Sequence, residues 1–453
     1  MKEVKGTTRV LGLIGNPVEH SISPLIHNTL ASLNEDDYVY TTFKVEKNGV
    51  ADAIRGAYAL NVLGLNVTVP YKSEVIDYLT SIDSLAKAIG AVNTLVRTDE
   101  GFKGYNTDIL GLERELMDEG ITLSNKTCII LGAGGAARAI AFLCASRNAK
   151  KVYVLNRTIN KAESIKEAVN SYFKKDLVKA LKLSDYTKID EDNCICIQCS
   201  SVGLYPNVED VIISDEAFYK KLEVGVDIIY NPANTAFMKA CNRAGVKSYN
   251  GLKMLLYQAI CAYELWSDSQ ISQSSSQYIY EKMQANMAGN IILIGFMGSG
   301  KTTFGKWICK NKNMDFIDTD ELIEKKEHRT INEIFEKDGE KYFRDLETST
   351  IKELSKSLNN TVISVGGGLA VKEENVRILK SMGKVVYLET SKAELMKRLA
   401  NDTNRPLLKG SNLSDKIDDL MARREDIYRN AATVIVNTND GNMDRMYKEI
   451  ERW

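Results

Sequence analysis

Two glycine-rich turns, each running from an apolar stretch into helical sequence, carry the most explicit chemistry in this chain. The first is CIILGAGGAARA, with Gly132, Ala133, Gly134, Gly135 and Ala136 in the turn and Ala137 beyond them. Gly132 permits a tight turn, Gly134 lets the backbone approach a pyrophosphate, and Ala137 keeps helix and strand close. The free N–H groups of the helix N-terminus then face the anion. The following strand ends in Asn156-Arg157-Thr158. An NAD site carries an acidic residue there for the ribose hydroxyls. An Asn and an Arg suit the 2′-phosphate of NADP instead, with a solvated strand-end Arg as the competing reading.

The second turn, IILIGFMGSGKTT, spells Gly295-x4-Gly300-Lys301-Thr302, the P-loop pattern for a nucleoside triphosphate such as ATP. Its backbone N–H groups, in the run Gly298-Ser299-Gly300-Lys301-Thr302-Thr303, would cradle phosphates. Lys301 would reach the transferring group and the Thr302 hydroxyl would coordinate Mg²⁺. The pattern alone does not separate an ATPase from a small-molecule kinase. FIDTD places Asp318 and Asp320 two apart, so both carboxylates are expected on one side of a strand end. Arg344 (beside Phe343 and Glu347), Arg405 and Arg424 follow, and VGGGLA supplies Gly366, Gly367 and Gly368. Several Arg after a P-loop suit an anionic acceptor, because the planar fork pairs bidentately with a carboxylate. The strand that would carry a motor ATPase's metal-binding Asp ends in these glycines, which favours the kinase.

A third group of residues precedes both turns. In GNPVEHSISPLIHN, Ser21 and Ser23 are expected in an extended stretch with both hydroxyls on one side. In LNVTVPYK, Asn66 and Thr68 share a strand face and Lys72 follows the Pro70 turn; GAVNTL adds Asn93 and GYNTD adds Asp108. Any one of these is ordinarily a turn or capping residue. Hydroxyls, amides, one Lys and one Asp together suit a small hydroxylated carboxylic acid.

Positioning these groups requires strands that feed helices, and the chain supplies them. Apolar runs at 10–15, 63–69, 126–134, 151–157, 290–298, 361–368 and 384–390 alternate with helical patterns, as in α/β folds with largely parallel sheets. Two phosphate turns of different type imply two nucleotide sites. The Ser/Gln-rich run at 267–277 reads as a loop, 276–287 as a helix, and the boundary between the two halves falls near 285–290. With 59 Lys and Arg against 60 Asp and Glu, a net charge of −1 argues against a nucleic-acid or membrane-surface partner. No apolar stretch is long enough to span a bilayer and no secretion signal opens the chain, so a cytoplasmic location is expected. Eight irregularly placed cysteines fit no disulfide framework; Cys194, Cys196 and Cys199 read as core residues of a strand. Three histidines are too few for a histidine-built metal centre.

The ordered motifs over residues 1 to about 285, continuing through SSVGLYP, DIIYNP and GLKMLLYQA, closely resemble shikimate dehydrogenase. The resemblance implies an α/β substrate domain (1–108, completed by helices at 237–287) and a Rossmann NADP domain (109–236). It implies that Ser21 and Ser23 bind the substrate carboxylate and that Asn66, Thr68, Asn93, Asp108 and Gln258 hold ring hydroxyls. Lys72 with Asp108 would be the catalytic pair, and Tyr230 and Gly251 would line the cleft to the cofactor. Gln198 and Ala236 depart from the usual pattern near that cleft. Residues 289–453 resemble shikimate kinase, a P-loop nucleoside-monophosphate-kinase-like α/β domain. That resemblance makes Asp320, Arg344, Arg424 and the backbone around Gly367 the shikimate-binding set, puts Asp318 near Mg²⁺ through water, and gives Arg405 to a lid at 401–412 that contacts ATP. Together they imply a bifunctional enzyme that reduces 3-dehydroshikimate with NADPH and then phosphorylates shikimate, acting on small molecules as a monomer or homodimer. The competing readings are a quinate-directed or NAD-using dehydrogenase beside another kinase, and a ligand sensor that has lost the chemistry. Against the sensor, Lys72, Asp108, Lys301 and Asp320 are all present.

Arg157→Ala is expected to weaken NADP about tenfold, the scale of one charge-assisted contact, and NAD less. Comparing KM for the two cofactors checks this; an equal loss with both overturns the 2′-phosphate role.

Overall fold

The computed structural model describes residues 4–355, 358–400 and 413–451. Its contacts separate two compact units, Met1–Tyr280 and Glu281–Trp453. The division falls inside the helix Gln273–Ala288, ahead of the 285–290 expected from sequence. The second part of the Ser/Gln run that reads as a loop, from Gln273 on, belongs to this helix. Ser272 caps it, its Oγ accepting the Ser275 N–H at 3.1 Å, and Ile279 on the same helix is fully buried. Among the described residues no helix is long and apolar enough to cross a membrane.

The first unit holds two six-stranded sheets. One contains β1 (Arg9–Gly15), β2 (Tyr38–Lys44), β3 (Gly64–Val67), β4 (Ser81–Ile82), β5 (Thr94–Thr98) and β6 (Gly101–Tyr105), in the order β2-β1-β3-β5-β6-β4. It is parallel across β2-β1-β3 and antiparallel across β3-β5-β6. That reversal brings the C-terminal end of β3, with Asn66, beside the start of β5 at Thr94. The other sheet is wholly parallel: β7 (Thr127–Leu131), β8 (Lys151–Asn156), β9 (Val178–Lys182), β10 (Cys194–Gln198), β11 (Leu222–Asp227) and β12 (Lys247–Asn250), in the order β12-β11-β10-β7-β8-β9. Strands β7 and β10 are buried on both faces, which is why their sequences TCIIL and CICIQ show no polar alternation. Cys194 and Cys196 pack into one face of the core and Cys199 into the other, and all eight cysteines are free.

The helix Thr107–Asp118, which begins beside Asp108, packs along the helix Leu252–Ser267, which carries Gln258. The two meet at Gly111, where a Cβ would stand 2.6 Å from Gln258 N and 2.7 Å from Met254 O.

The second unit is a five-stranded parallel sheet: β13 (Asn290–Ile294), β14 (Asp315–Asp318), β15 (Thr361–Ser364), β16 (Gly383–Glu389) and β17 (Val434–Asn437), in the order β14-β15-β13-β16-β17. Its centre is tied by one buried side chain. Asn290 Nδ2 donates to Leu358 O and Met382 O, both at 2.9 Å, and its Oδ1 accepts Thr361 N–H at 2.9 Å. The long helix Ile331–Leu354 breaks at Gly339 (φ 82°), so the turns bearing Glu340, Arg344 and Glu347 start afresh after that residue.

Gly111→Ala forces a side chain against backbone atoms of the neighbouring helix. It should destabilise the first unit by about 1–3 kcal/mol, the usual cost of overpacking. Urea unfolding of the chain measures this, and an unchanged midpoint would show that the helices can part freely.

Candidate active sites

Sequence-distant polar residues of the first unit meet where β3, β5 and the Thr107 helix converge. Lys72 Nζ donates to Asp108 Oδ2 at 2.6 Å, and Asn93 Nδ2 donates to Asp108 Oδ1 at 2.9 Å. Asn66 lies behind them, its Nδ2 donating to Asn93 O at 3.2 Å and to Thr94 Oγ1 at 3.1 Å. Lys72 and Asp108 stay about one-third and one-quarter exposed at their side chains, so a ligand can reach them. An ammonium held against a carboxylate beside a carboxamide can bind a hydroxyl or carbonyl oxygen and pass it a proton.

Two local expectations differ from the structure. Ser21 and Ser23 do not share an extended stretch. Pro24 favours the first turn of a helix, and Ser23 opens the helix Ser23–Leu33 while its N–H donates to Ser21 Oγ at 3.2 Å. Thr68 lies just past the end of β3, its methyl directed at Gly15. Gln258 Nε2 donates to Leu255 O in its own helix, and its backbone N and Cβ pack against Gly111, three residues after Asp108.

The dinucleotide turn follows β7, at the point where the strand order reverses between β10 and β8. Gly132 has φ +115° and lies against the Cys199–Ser200 backbone, where a Cβ would come within 3.2 Å. Its N–H donates to Leu155 O at 2.8 Å, which brings the end of β8 alongside the turn. There Asn156 Nδ2 donates to Thr158 O at 2.9 Å and the Arg157 side chain is exposed. The helix Gly135–Ser146 starts at Gly134, which has no side chain to compete for its N-terminal N–H groups. This cradle fits a dinucleotide phosphate.

Gln198 and Thr235 organise the loops opposite. Buried Gln198 donates to Ser200 O and Val202 O and accepts the Ser200 N–H, so the departure at this position still fixes the loop beside Gly132. Thr235 Oγ1 donates to buried Asp227 at 2.7 Å and caps the helix Ala236–Arg243. Burial pushes the Asp227 carboxyl up to about 6, against the Thr235 and Ile229 hydrogen bonds. Between these anchors Tyr230 stays more than one-third exposed and Gly251 N–H donates to Ile229 O at 3.2 Å.

In the second unit a cavity of about 550 Å³ opens at the end of β13. It takes in the turn from Met297 to Phe304, with Asp318, Asp320, Gly366 and Gly367. Asp318 ends β14 and caps the next helix, its Oδ1 accepting the Asp320 N–H at 3.0 Å. Asp320 therefore lies in a helical first turn, where the sequence had suggested a strand end; both carboxylates nevertheless line the cavity. Thr302 Oγ1 donates to Asp318 Oδ2 at 2.8 Å, so two oxygen donors of the kind Mg²⁺ takes stand at the turn. Lys301 Nζ donates to Gly295 O at 2.9 Å and Phe296 O at 3.0 Å.

A second cavity of about 270 Å³ holds Arg344, Gly368 and Arg424. The shikimate-binding set implied by resemblance is thus split by the Gly366–Gly368 turn, with Arg424 Nη1 joining the halves through Gly367 O at 3.3 Å. Arg344 lies directly over Gly368, where a Cβ would fall 2.2 Å from Nη1. It is clamped by Glu347 (2.7 Å) and Glu340 (2.9 Å). Arg405 and the 401–412 segment lie outside the described residues.

Several residues at these sites had no assigned role. Thr94 and Thr107 have a visible signal, since Asn-Thr occurs in both GAVNTL and GYNTD. Glu347 also has one, lying three residues after Arg344 on a helix face. Arg398 and Thr438 line the larger cavity without any sequence mark.

Family models match at residues 13–95 (shikimate dehydrogenase substrate binding domain), 115–228 (shikimate / quinate 5-dehydrogenase) and 297–453 (shikimate kinase). Shikimate dehydrogenase (NADP(+)) of Caldanaerobacter subterraneus subsp. tengcongensis is 38% identical, over 63% of this chain and 100% of that protein. The enzyme of the same name from Bacillus subtilis is 39% identical, over 62% of this chain and 98% of its own. Among solved structures, shikimate 5-dehydrogenase of Listeria monocytogenes in complex with shikimate and NAD superposes with a TM-score of 0.59 at 31% identity, covering 62% of this chain and 99% of that one.

Burial pushes the Glu347 carboxyl up to about 7; Arg344 opposes this and Asp320 adds to it. The folded chain therefore holds a proton on Glu347 that the unfolded chain has lost above about 4.5. The stability this proton confers is full below that pH, falls as pH rises towards 7, and is constant beyond. Glu347→Gln should flatten that part of the pH–stability curve in urea titrations; an unchanged slope would remove Glu347 as its source.

Proposed function

The chain belongs to the shikimate dehydrogenase family and carries a shikimate kinase domain behind it, and from that premise we propose how its residues divide two consecutive reactions. It is a bifunctional shikimate-pathway enzyme: 3-dehydroshikimate is reduced to shikimate with NADPH, and shikimate is phosphorylated with ATP to shikimate 3-phosphate.

For the reduction, the Gly132 turn and the Asn156–Thr158 strand end hold the dinucleotide, with Tyr230 and Gly251 bordering the cleft. Ser21 and Ser23 take the substrate carboxylate; Asn66, Thr68, Asn93, Asp108 and Gln258 hold ring oxygens. Lys72 delivers the proton that the carbonyl oxygen gains on becoming an alcohol, and Asp108 keeps that ammonium charged and aimed. For the phosphorylation, residues 298–303 cradle ATP, and Thr302 with Asp318, the latter through water, hold Mg²⁺. Arg344, Arg424 and the backbone around Gly367 hold the acceptor, Asp320 takes the hydroxyl proton, and Arg405 contacts phosphate. Bound NADPH supplies the hydride and Mg·ATP the phosphoryl group. Eight free cysteines support a reducing, cytoplasmic setting.

The observation that carries this reading is the Lys72–Asp108 contact of 2.6 Å, with Asn93 on the second carboxylate oxygen. The test is a coupled assay with 3-dehydroshikimate, NADPH and Mg·ATP, in which phosphorylated shikimate should accumulate as NADPH is consumed. Lys72→Ala should lower turnover of the first step about 10²–10⁴-fold, the usual contribution of a positioned acid–base group, and leave phosphorylation of added shikimate intact. Near-normal reduction by that variant would overturn the assignment.

A further inference from the structure

The side chains behind Asp108 form a connected hydrogen-bond network, and Tyr40, Thr94 and Thr107 in it have no role in the reading above. Tyr40 Oη donates to Asn66 Oδ1 at 2.8 Å, and Asn66 Nδ2 donates to Thr94 Oγ1 at 3.1 Å. Asn93 Oδ1 then accepts the Thr107 N–H at 2.7 Å and lies 3.1 Å from both the Thr107 and the Thr94 hydroxyls. These hydroxyls are 3.0 Å from each other, so one can donate to Asn93 while the other donates to that hydroxyl or to Asn93. Both threonines are fully buried, so water cannot replace either hydroxyl. With its oxygen fixed in this way, the Asn93 carboxamide has one orientation. A flip would set its NH₂ against the Thr107 N–H and its oxygen against the Asp108 carboxylate, repulsive on both sides. The orientation that remains sends Nδ2 to Asp108 Oδ1, leaving Oδ2 for Lys72.

We propose that Thr107, assisted by Thr94, is a positioning residue for the reduction: it locks the Asn93 amide, and through it fixes the rotation of Asp108 and the direction of the Lys72 ammonium. This deepens the functional reading above and rests on it. The hydroxyl acts, and the methyl is packing, so the two can be separated by substitution. Valine keeps the shape and removes the donor; serine keeps the donor and removes the methyl.

The experiment measures shikimate oxidation by NADP in the full chain for wild type, Thr107→Val, Thr107→Ser, Thr94→Val and Thr94→Ser. The proposal expects Thr107→Val to raise the shikimate KM and lower kcat, each about tenfold, the scale of losing one buried hydrogen bond. The NADP KM and the kinase rate of the same chain should stay within about twofold of wild type, and Thr107→Ser should stay close to wild type throughout. A packing role gives the reverse order, with valine near normal and serine impaired, and overturns the proposal. If Thr107→Val does not fold, the Thr94 pair gives the same valine-against-serine comparison, because the Thr94 hydroxyl also meets Asn93 Oδ1 at 3.1 Å. A wild-type chain that cannot oxidise shikimate with NADP overturns the functional reading itself. An active wild type with unaffected valine variants overturns only the positioning role.

Discussion

Both nucleotide sites depend on one constraint: a parallel strand must hand its chain to a helix through backbone that admits no side chain. At the end of β7 a Cβ on Gly132 would press on the Cys199–Ser200 backbone at 3.2 Å, and at the end of β13 one on Gly295 would meet Leu388 O at 2.9 Å. Each glycine brings its turn close to a neighbouring strand and turns the following helix's N–H groups outwards, where an anion can take them. The strand orders put both turns beside a crossover, with a strand end on either side to supply side chains. Asn156–Thr158 lie at the end of β8, next to β7, whereas Asp318–Asp320 lie at the end of β14, which β15 separates from β13.

Around that frame, buried polar groups carry specificity at some cost in stability. Asn290 satisfies three backbone groups at once and so fixes the register of β15 and β16 against β13. Asn93 does the same for the first unit's pocket, its oxygen accepting from Thr107 and its amide donating to Asp108. A half-satisfied network of this kind would be worse than an apolar core. Glu347 is the exception: burial raises its pKa, and Arg344, with a smaller contribution from Arg424, offsets the charge. Keeping it is consistent with a need for Arg344 in one orientation, because an isolated Arg would lose rotamer freedom each time it bound an anion.

The fold was legible because its strands are short apolar runs between glycine turns and helical periodicity, and because two motifs of high information content mark the nucleotide sites. The Lys72, Asn93 and Asp108 cluster was legible only as a list of types; its assembly depends on the reversal from parallel to antiparallel pairing at β3–β5, which no local pattern encodes. Ser23 was misplaced because serine suits strand ends and helix starts alike, and Pro24 decided for the helix. The Ser/Gln run was misread because composition masked a capping serine, and one buried Ile279 supplies part of the face that holds the helix. Arg398 and Thr438 were invisible for a different reason: Arg398 reaches Ser299 O of the P-loop across 99 residues of sequence, and Thr438, 40 residues further on, meets Arg398.

A net charge of −1 in a chain built for anionic ligands follows from how its cations are held. Lys72 faces Asp108, Arg344 lies between Glu340 and Glu347, and Lys301 rests on two carbonyl oxygens. Each cation is thus partly neutralised and fixed before any ligand arrives, which lowers the desolvation and ordering costs of burying it. A ligand carboxylate or phosphate must then bind an oriented cation, and orientation selects shape where bare charge would attract any anion. The pairing has a second consequence. Removing one carboxylate, such as Glu347, takes away a competitor for Arg344 and also the clamp that aims it, so a gain in local positive charge need not bring a gain in binding.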